Sequence, residues 1–230
     1  VTIPPPAAVL TDIEGTTTRI SFVHDVLFPY ARQRLPAYLA QHQAIPELRA
    51  VLADVAALAP GLPVLDTLMG WMDEDAKVTP LKTLQGLIWA EGYATGALHS
   101  ELYPDVAPAL RRWHAAGTRL FVYSSGSVAA QKLLFANTPD GDLTPLFSDF
   151  FDTRVGGKRA PQSYAGIIAA TGLLPGDVLF LSDVAEELDA ANVCGLQVCQ
   201  LLRPQDGTRP SAFTGAPDFD RAGALFGLAA

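Results

Sequence analysis

From about Leu102 onward, short apolar runs at strand spacing alternate with amphipathic stretches at helical spacing, which is the pattern of a parallel sheet. Residues 106–116 predict a helix that stops at Gly117, 119–123 a strand, 127–135 a helix and 150–153 a short strand. Residues 164–171 follow as a helix closed by Gly172, then 178–181 as a buried strand, 186–193 as a helix and 197–202 as another apolar strand. Near the start, Ala8-Val9-Leu10-Thr11 reads as the first strand. Between about Ser21 and Gly96 the texture changes: Leu- and Ala-rich stretches hold helical spacing, strand-like runs are few, and Pro36, Pro46, Pro60, Pro63 and Pro80 mark breaks. This region predicts an all-helical insertion after the first strand. Residues 1–6 form a Pro-rich lead-in, and the Gly/Ala-rich last fifteen residues leave room for one short helix.

Bulk properties narrow the classes. A chain of 230 residues with 49% apolar residues can bury one large core or a core with a smaller insert. A formal net charge of −8 argues against a nucleic-acid partner, which calls for a basic face. Cys194 and Cys199 match neither a metal spacing nor a disulfide framework, so a reducing cytoplasm is expected. No apolar run approaches the length needed to span a bilayer, and the start lacks the layout of a signal peptide.

Four segments, each after an expected strand, carry candidate chemistry. In Asp12-Ile13-Glu14-Gly15-Thr16-Thr17-Thr18 a carboxylate sits at a strand's carboxyl end, where open α/β sheets bind ligands. Asp12 there can attack phosphorus, while Glu14 passes a proton to the leaving group and later activates water. The bland alternative is a solvated turn acid that caps a helix. Second, Ser124-Ser125-Gly126-Ser127 runs from a strand into a helix, whose first N–H groups with a serine hydroxyl would cradle a phosphoryl group; an ordinary serine N-cap is the alternative. Third, Gly156-Gly157-Lys158 can bring one ammonium against both nucleophile and phosphate, with Arg154 and Arg159 as rivals and a plain surface lysine as the alternative. Fourth, Asp183 ends an apolar strand and would complete an oxygen-rich Mg²⁺ site unless it merely caps a helix, with Glu187 one turn on and within reach of a metal-bound water.

Acid-x-acid, Ser/Gly turn, lysine and acid in that order resemble the haloacid dehalogenase superfamily of aspartyl phosphotransferases, and Glu14 favours phosphate over halide chemistry. Asp-Ile-Glu-Gly-Thr-Thr-Thr at residues 12–18, Phe28-Pro29-Tyr30, Lys82-Thr83-Leu84-Gln85-Gly86, the stretch 123–135 and Phe151-Asp152-Thr153 resemble the enolase-phosphatases of methionine salvage (acireductone synthases) over nearly the whole chain. The resemblance implies an α/β fold with a doubly wound, parallel-sheet, Rossmann-like core at residues 1–20 plus 97–230 and a helical cap at 21–96. It implies enolisation and then dephosphorylation of 2,3-diketo-5-methylthiopentyl 1-phosphate to an acireductone, with one Mg²⁺ per chain. Asp12, Glu14 (through its carbonyl) and Asp183 would serve the metal, Ser124 and Ser125 the phosphate, and Lys158 both phosphate and nucleophile. Gly157 departs from the family, where a bulkier residue is expected before the lysine.

The insertion is expected to exclude water while a carbon acid is enolised. Lys82, Gln85 and Trp89 share one helical face, and Lys77 sits in the preceding turn, free to reach the cleft; Lys77 and Gln85 are candidate substrate contacts. A solvated lysine pair is the alternative there. His24 and His99 lie in no matched motif, and His42 and His114 read as surface residues on helices. The expectation is a cytoplasmic, monomeric enzyme acting on a small phosphorylated diketone, with no nucleic acid or membrane as partner. Two rivals stand: a capped Mg²⁺-dependent phosphatase of another small ester, and a catalytically silent phosphate-binding scaffold.

Overall fold

Strands buried on both faces build the sheet in the computed structural model, which describes residues 4–229. Its strands are β1 (Ala8–Thr11), β2 (Arg119–Tyr123), β3 (Phe147–Phe151), β4 (Val178–Ser182), β5 (Gln197–Leu201) and β6 (Gly215–Ala216), all parallel, in the order β3-β2-β1-β4-β5-β6. Ala8, Leu10, Phe121, Tyr123, Val178 and Phe180 face one way, into a core shared with α7 (Pro161–Thr171) and α8 (Ala185–Val193). Val9, Leu120, Val122, Leu179 and Leu181 face the other way and are equally buried. On β2 packs α5 (Val106–Ala115), whose Trp113 stacks on Phe219 of α9 (Phe219–Phe226) with centroids 5.4 Å apart. The remaining α-helix of this unit, α6 (Val128–Ala136), lies between β2 and β3. Thr11 pairs with both Val122 and Leu181, so the loops after β1, β2 and β4 emerge at one edge, at the point where strand order reverses.

Contacts divide the chain into two units: the α/β unit, made of the residues up to Ile20 and those from Ser100, and a helical unit, Ser21–His99. The helical unit opens with a π-helical stretch, Phe22–Leu27, and continues as α1 (Phe28–Gln41), α2 (Pro46–Leu58), α3 (Val64–Asp73) and α4 (Thr79–Ala94). Ala31, Leu35, Tyr38, Leu48, Val51, Val55, Leu68, Leu81, Leu84 and Ile88 form its core at helical spacing. Among the described residues no helix is long and apolar enough to cross a membrane.

Several boundaries differ from those the sequence predicts. Pro36 does not break a helix but lies inside α1, where Pro36 and Arg32, whose carbonyl loses its i+4 donor, are both exposed to water. The strand expected at 150–153 is β3, which starts at Phe147; the exposed Ser148 and Asp149 hide its alternation on an edge strand. It ends before Thr153 because Asp152 Oδ1 accepts from the Arg154 N–H at 2.9 Å and turns the chain into a short 3₁₀ helix, Thr153–Val155. The two-residue β6 carries too little pattern to be read. His42 caps the end of α1 and bonds Glu91 at 2.7 Å, whereas His24, His99 and His114 are exposed. Cys194 and Cys199 are free thiols. Residues 1–3 of the Pro-rich lead-in lie outside the described residues.

Candidate active site

Two carboxylates meet because β1 and β4 are neighbours. Asp12 follows β1, and its N–H donates to the Leu181 carbonyl at 2.9 Å. Asp183 follows β4, and its N–H donates to Thr16 Oγ1 at 3.1 Å. Gly15 makes the approach possible. It sits at φ +72°, and a Cβ there would overlap the Asp183 carboxylate. Burial and the charge of Asp12 push the Asp183 carboxyl up to about 7. Glu14 stands in the same turn, partly exposed, and lines a cavity of about 440 Å³ together with Asp12, Asp183, Ser124, Ser125, Lys158, Arg159 and Glu187.

Lys158 reaches this cavity from the loop before α7. Its Nζ lies 2.6 Å from Asp12 Oδ1 and 2.7 Å from Glu187 Oε2. Burial works to lower the ammonium's pKa, but Asp12 and Glu187 more than offset it and hold it above the usual lysine value. Glu187 is raised by burial and by the charge of Asp12, and it also accepts from Ser182 Oγ at 2.9 Å. Glu187 is therefore the lysine's second partner. Arg154 points elsewhere, pairing with Asp152 at 2.9 Å on a side chain 79% exposed. Arg159 does line the cavity, from an exposed position.

The Ser/Gly turn is held from beneath. Gln131 Nε2 donates to the carbonyls of Gly126 and Phe151 at 2.8 and 2.9 Å, and Ser124 Oγ accepts from the Gly126 N–H at 3.2 Å. The start of α6 is less open than the sequence suggests. Ser127 caps the Ala130 N–H at 3.3 Å, and Asp152 Oδ2 takes the Val128 N–H at 3.2 Å. Most of the expected helix-end cradle is thus already satisfied by protein groups, which leaves Ser124 and Ser125 as the turn's share of the cavity wall.

Arg203 has no counterpart among the residues the sequence singles out. It is 3% exposed and donates from Nε and Nη2 to the Thr16 carbonyl at 3.2 and 2.8 Å. Its Nη1 and Nη2 form a paired bridge to Asp105 at 2.9 and 3.0 Å. The loop carrying Glu14 and Gly15 is thereby tied to α5 and to the chain beyond β5. A lone arginine after a strand carries no local signal of this.

Lys77 and Gln85 belong to the helical unit. Lys77 is not free: it pairs with Asp75 at 2.6 Å while remaining 65% exposed. Gln85 is buried on α4, beside Leu81, Leu84 and Ile88. Trp89 donates from Nε1 to the Leu27 carbonyl at 2.8 Å.

The donor set at the cavity is oxygen-rich, with neither imidazole nor thiol among its lining residues. Among the described residues no three His, Cys, Asp or Glu side chains are gathered tightly enough to hold a metal by themselves. Carboxylates with no imidazole or thiol beside them suit a hard cation that keeps waters and a substrate oxygen in its shell, as Mg²⁺ does, and do not suit zinc.

Comparison with known proteins agrees with this arrangement. The model of the haloacid dehalogenase-like hydrolases matches residues 6–195. The chain is 58% identical to Enolase-phosphatase E1 of Granulibacter bethesdensis, over 97% of this chain and 98% of that protein. It is 60% identical to Enolase-phosphatase E1 of Acidiphilium cryptum, over 96% of each. Among solved structures, the UTR4 protein of Saccharomyces cerevisiae superposes with a TM-score of 0.83 at 33% identity, over 94% of this chain and 99% of that one. The chain belongs to the haloacid dehalogenase-like hydrolases and, within them, to the enolase-phosphatase E1 family.

Proposed function

We propose that the protein enolises 2,3-diketo-5-methylthiopentyl 1-phosphate and then removes its phosphate, giving an acireductone in methionine salvage. The observation that carries the phosphatase half is the Lys158 ammonium 2.6 Å from Asp12, both facing a cavity that Glu14, Ser124, Ser125 and Asp183 also line. Asp12 attacks phosphorus, the ester P–O bond breaks, and Glu14 gives its proton to the departing oxygen. Glu14 then takes a proton from water as that water attacks the aspartyl phosphate, which frees inorganic phosphate and restores Asp12. Ser124 and Ser125 hold the phosphoryl oxygens, and Lys158 offsets their charge beside the nucleophile. Asp12, Asp183 and the Glu14 carbonyl would hold one Mg²⁺, which would supply positive charge against the phosphate.

The helical unit, residues 21–96 on this reading, serves as a cap that recognises and shields the carbon skeleton, with Lys77 and Gln85 as contacts. We place the enzyme in the cytoplasm as a monomer; the free thiols Cys194 and Cys199 suit a reducing compartment. Rapid quenching during turnover tests the covalent step. A phosphoryl group on the peptide containing Asp12, absent in Asp12→Asn, is expected. Turnover with no phosphorylated protein in the quenched samples would overturn the assignment.

A further inference from the structure

Between the 3₁₀ turn Thr153–Val155 and α7, residues 156–160 have no sheet or helix to fix them, and two of them are glycines. Its glycines give the segment more backbone freedom than other residues would, yet it presents Lys158, whose ammonium meets two carboxylates at hydrogen-bond distance. Three side-chain hydroxyls account for this. Tyr123 OH donates to the Gly156 carbonyl at 2.9 Å, Ser163 Oγ to the Gly157 carbonyl at 2.8 Å, and Tyr164 OH to the Lys158 carbonyl at 2.7 Å. Three consecutive carbonyls are thus gripped in order by residues from β2 and α7.

All three donors are nearly inaccessible, with Tyr123 and Tyr164 at 0% and Ser163 at 1% exposure. The two tyrosine rings meet edge to face at 5.5 Å, which fixes the direction of both hydroxyls. Burial pushes both phenols upward, so they stay protonated as donors at any working pH. Gly156 sits at φ +126°, and a Cβ there would overlap Ser163 Oγ, so the glycine is what lets the serine close on the loop. The Tyr123 ring also lies 6.0 Å from the Lys158 ammonium.

We propose that Tyr123, Ser163 and Tyr164 are positioning residues that hold the Lys158 backbone so that its ammonium is preorganised against Asp12. The proposal rests on the functional reading of Lys158 given above. Holding a charge in place before the reaction is what gives it leverage on the rate, and misplacement by about 1 Å is enough for a loss on the order of 10²-fold.

Tyr123→Phe and Tyr164→Phe remove one oxygen each and keep the buried shape. With the Mg²⁺-loaded protein and para-nitrophenyl phosphate, each is expected to lower kcat by roughly 10- to 100-fold while KM stays within about twofold. Circular dichroism and melting temperature confirm that each variant is folded at the assay temperature. In a Lys158→Ala background, the same hydroxyl deletions should change the single-turnover rate by less than about twofold, because nothing remains to be positioned. Folded Tyr variants with kcat within twofold of wild type would overturn the proposal, as would equal fold-losses with and without Lys158. If Lys158→Ala itself turns over at the wild-type rate, the functional reading falls instead. An inactive Lys158→Ala beside fully active tyrosine variants removes the clamp alone.

Discussion

Replacing Lys158 by alanine takes a buried ammonium out of a site lined by the carboxyl groups of Asp12, Glu14, Asp183 and Glu187. The Nζ contacts are 2.6 Å to Asp12 and 2.7 Å to Glu187, on side chains 9%, 6% and 11% exposed. At an effective dielectric of about 20, a contact of 2.6 Å corresponds to an attraction of about 6 kcal/mol before desolvation is set against it. The part that matters to rate is what the ammonium adds when a phosphoryl group approaches Asp12. Loss of one such preorganised contact costs about 2.7–4 kcal/mol, or roughly 10²–10³ in kcat. Without Lys158, whose charge works against the upward push of burial, Glu187 keeps its proton to higher pH. Arg154→Ala should cost less than about threefold, because its exposed guanidinium is paired with Asp152 and does not line the cavity. Arg159→Ala should lie between the two. Steady-state phosphate release across pH 5–9 for the three variants measures this. Equal losses at all three positions would refute the reasoning and point to a diffuse positive field.

Other consequences stem from the same geometry. Asp183 titrates near 7 in the metal-free protein, above its unfolded value, so the folded state holds its proton longer. Metal-free stability should therefore fall as pH rises from about 4 to 7. Mg²⁺ should raise the melting temperature most above pH 7, and Asp183→Asn should remove both effects; a metal-free melting temperature that climbs through this window contradicts the assignment. Arg203→Met strands Asp105 and the Thr16 carbonyl, and should cost about 3–5 kcal/mol in urea unfolding. A loss below 1 kcal/mol would show that the buried bridge does not hold the loop. Lys77→Ala and Gln85→Ala should impair the diketone phosphate at least tenfold more than para-nitrophenyl phosphate, because remote binding energy is used in the reacting step. Parallel losses on both substrates would limit these residues to stabilising their own unit.

Features with a local signature are legible in the sequence. The acids at strand ends can be read because an apolar run ending in Asp looks the same wherever it pairs, as Asp12 and Asp183 show. Gly15 and Gly156 are recognisable as turn residues, but not as the openings through which Asp183 and Ser163 approach. Nothing local marks Arg203, 187 residues from the Thr16 carbonyl it holds. Glu187 is visible one turn beyond Asp183, yet its partner is not, because the lysine arrives from a different loop. The expected phosphate cradle shrinks for a similar reason: Asp152 occupies the Val128 N–H from 24 residues away. Pro36 and β3 depart from expectation through context, one facing water inside a helix and the other exposing two successive side chains at a sheet edge.

In the proposed reaction one site first makes the enol and then releases phosphate. Incubation of the wild-type protein with the diketone phosphate and Mg²⁺, with enol absorbance and free phosphate monitored together, tests it directly. An enol signal that precedes phosphate, loss of phosphate release in Asp12→Asn, and silence after chelation that Mg²⁺ reverses are expected. Phosphate released without an enol signal, at an efficiency matched by simple esters, would contradict it.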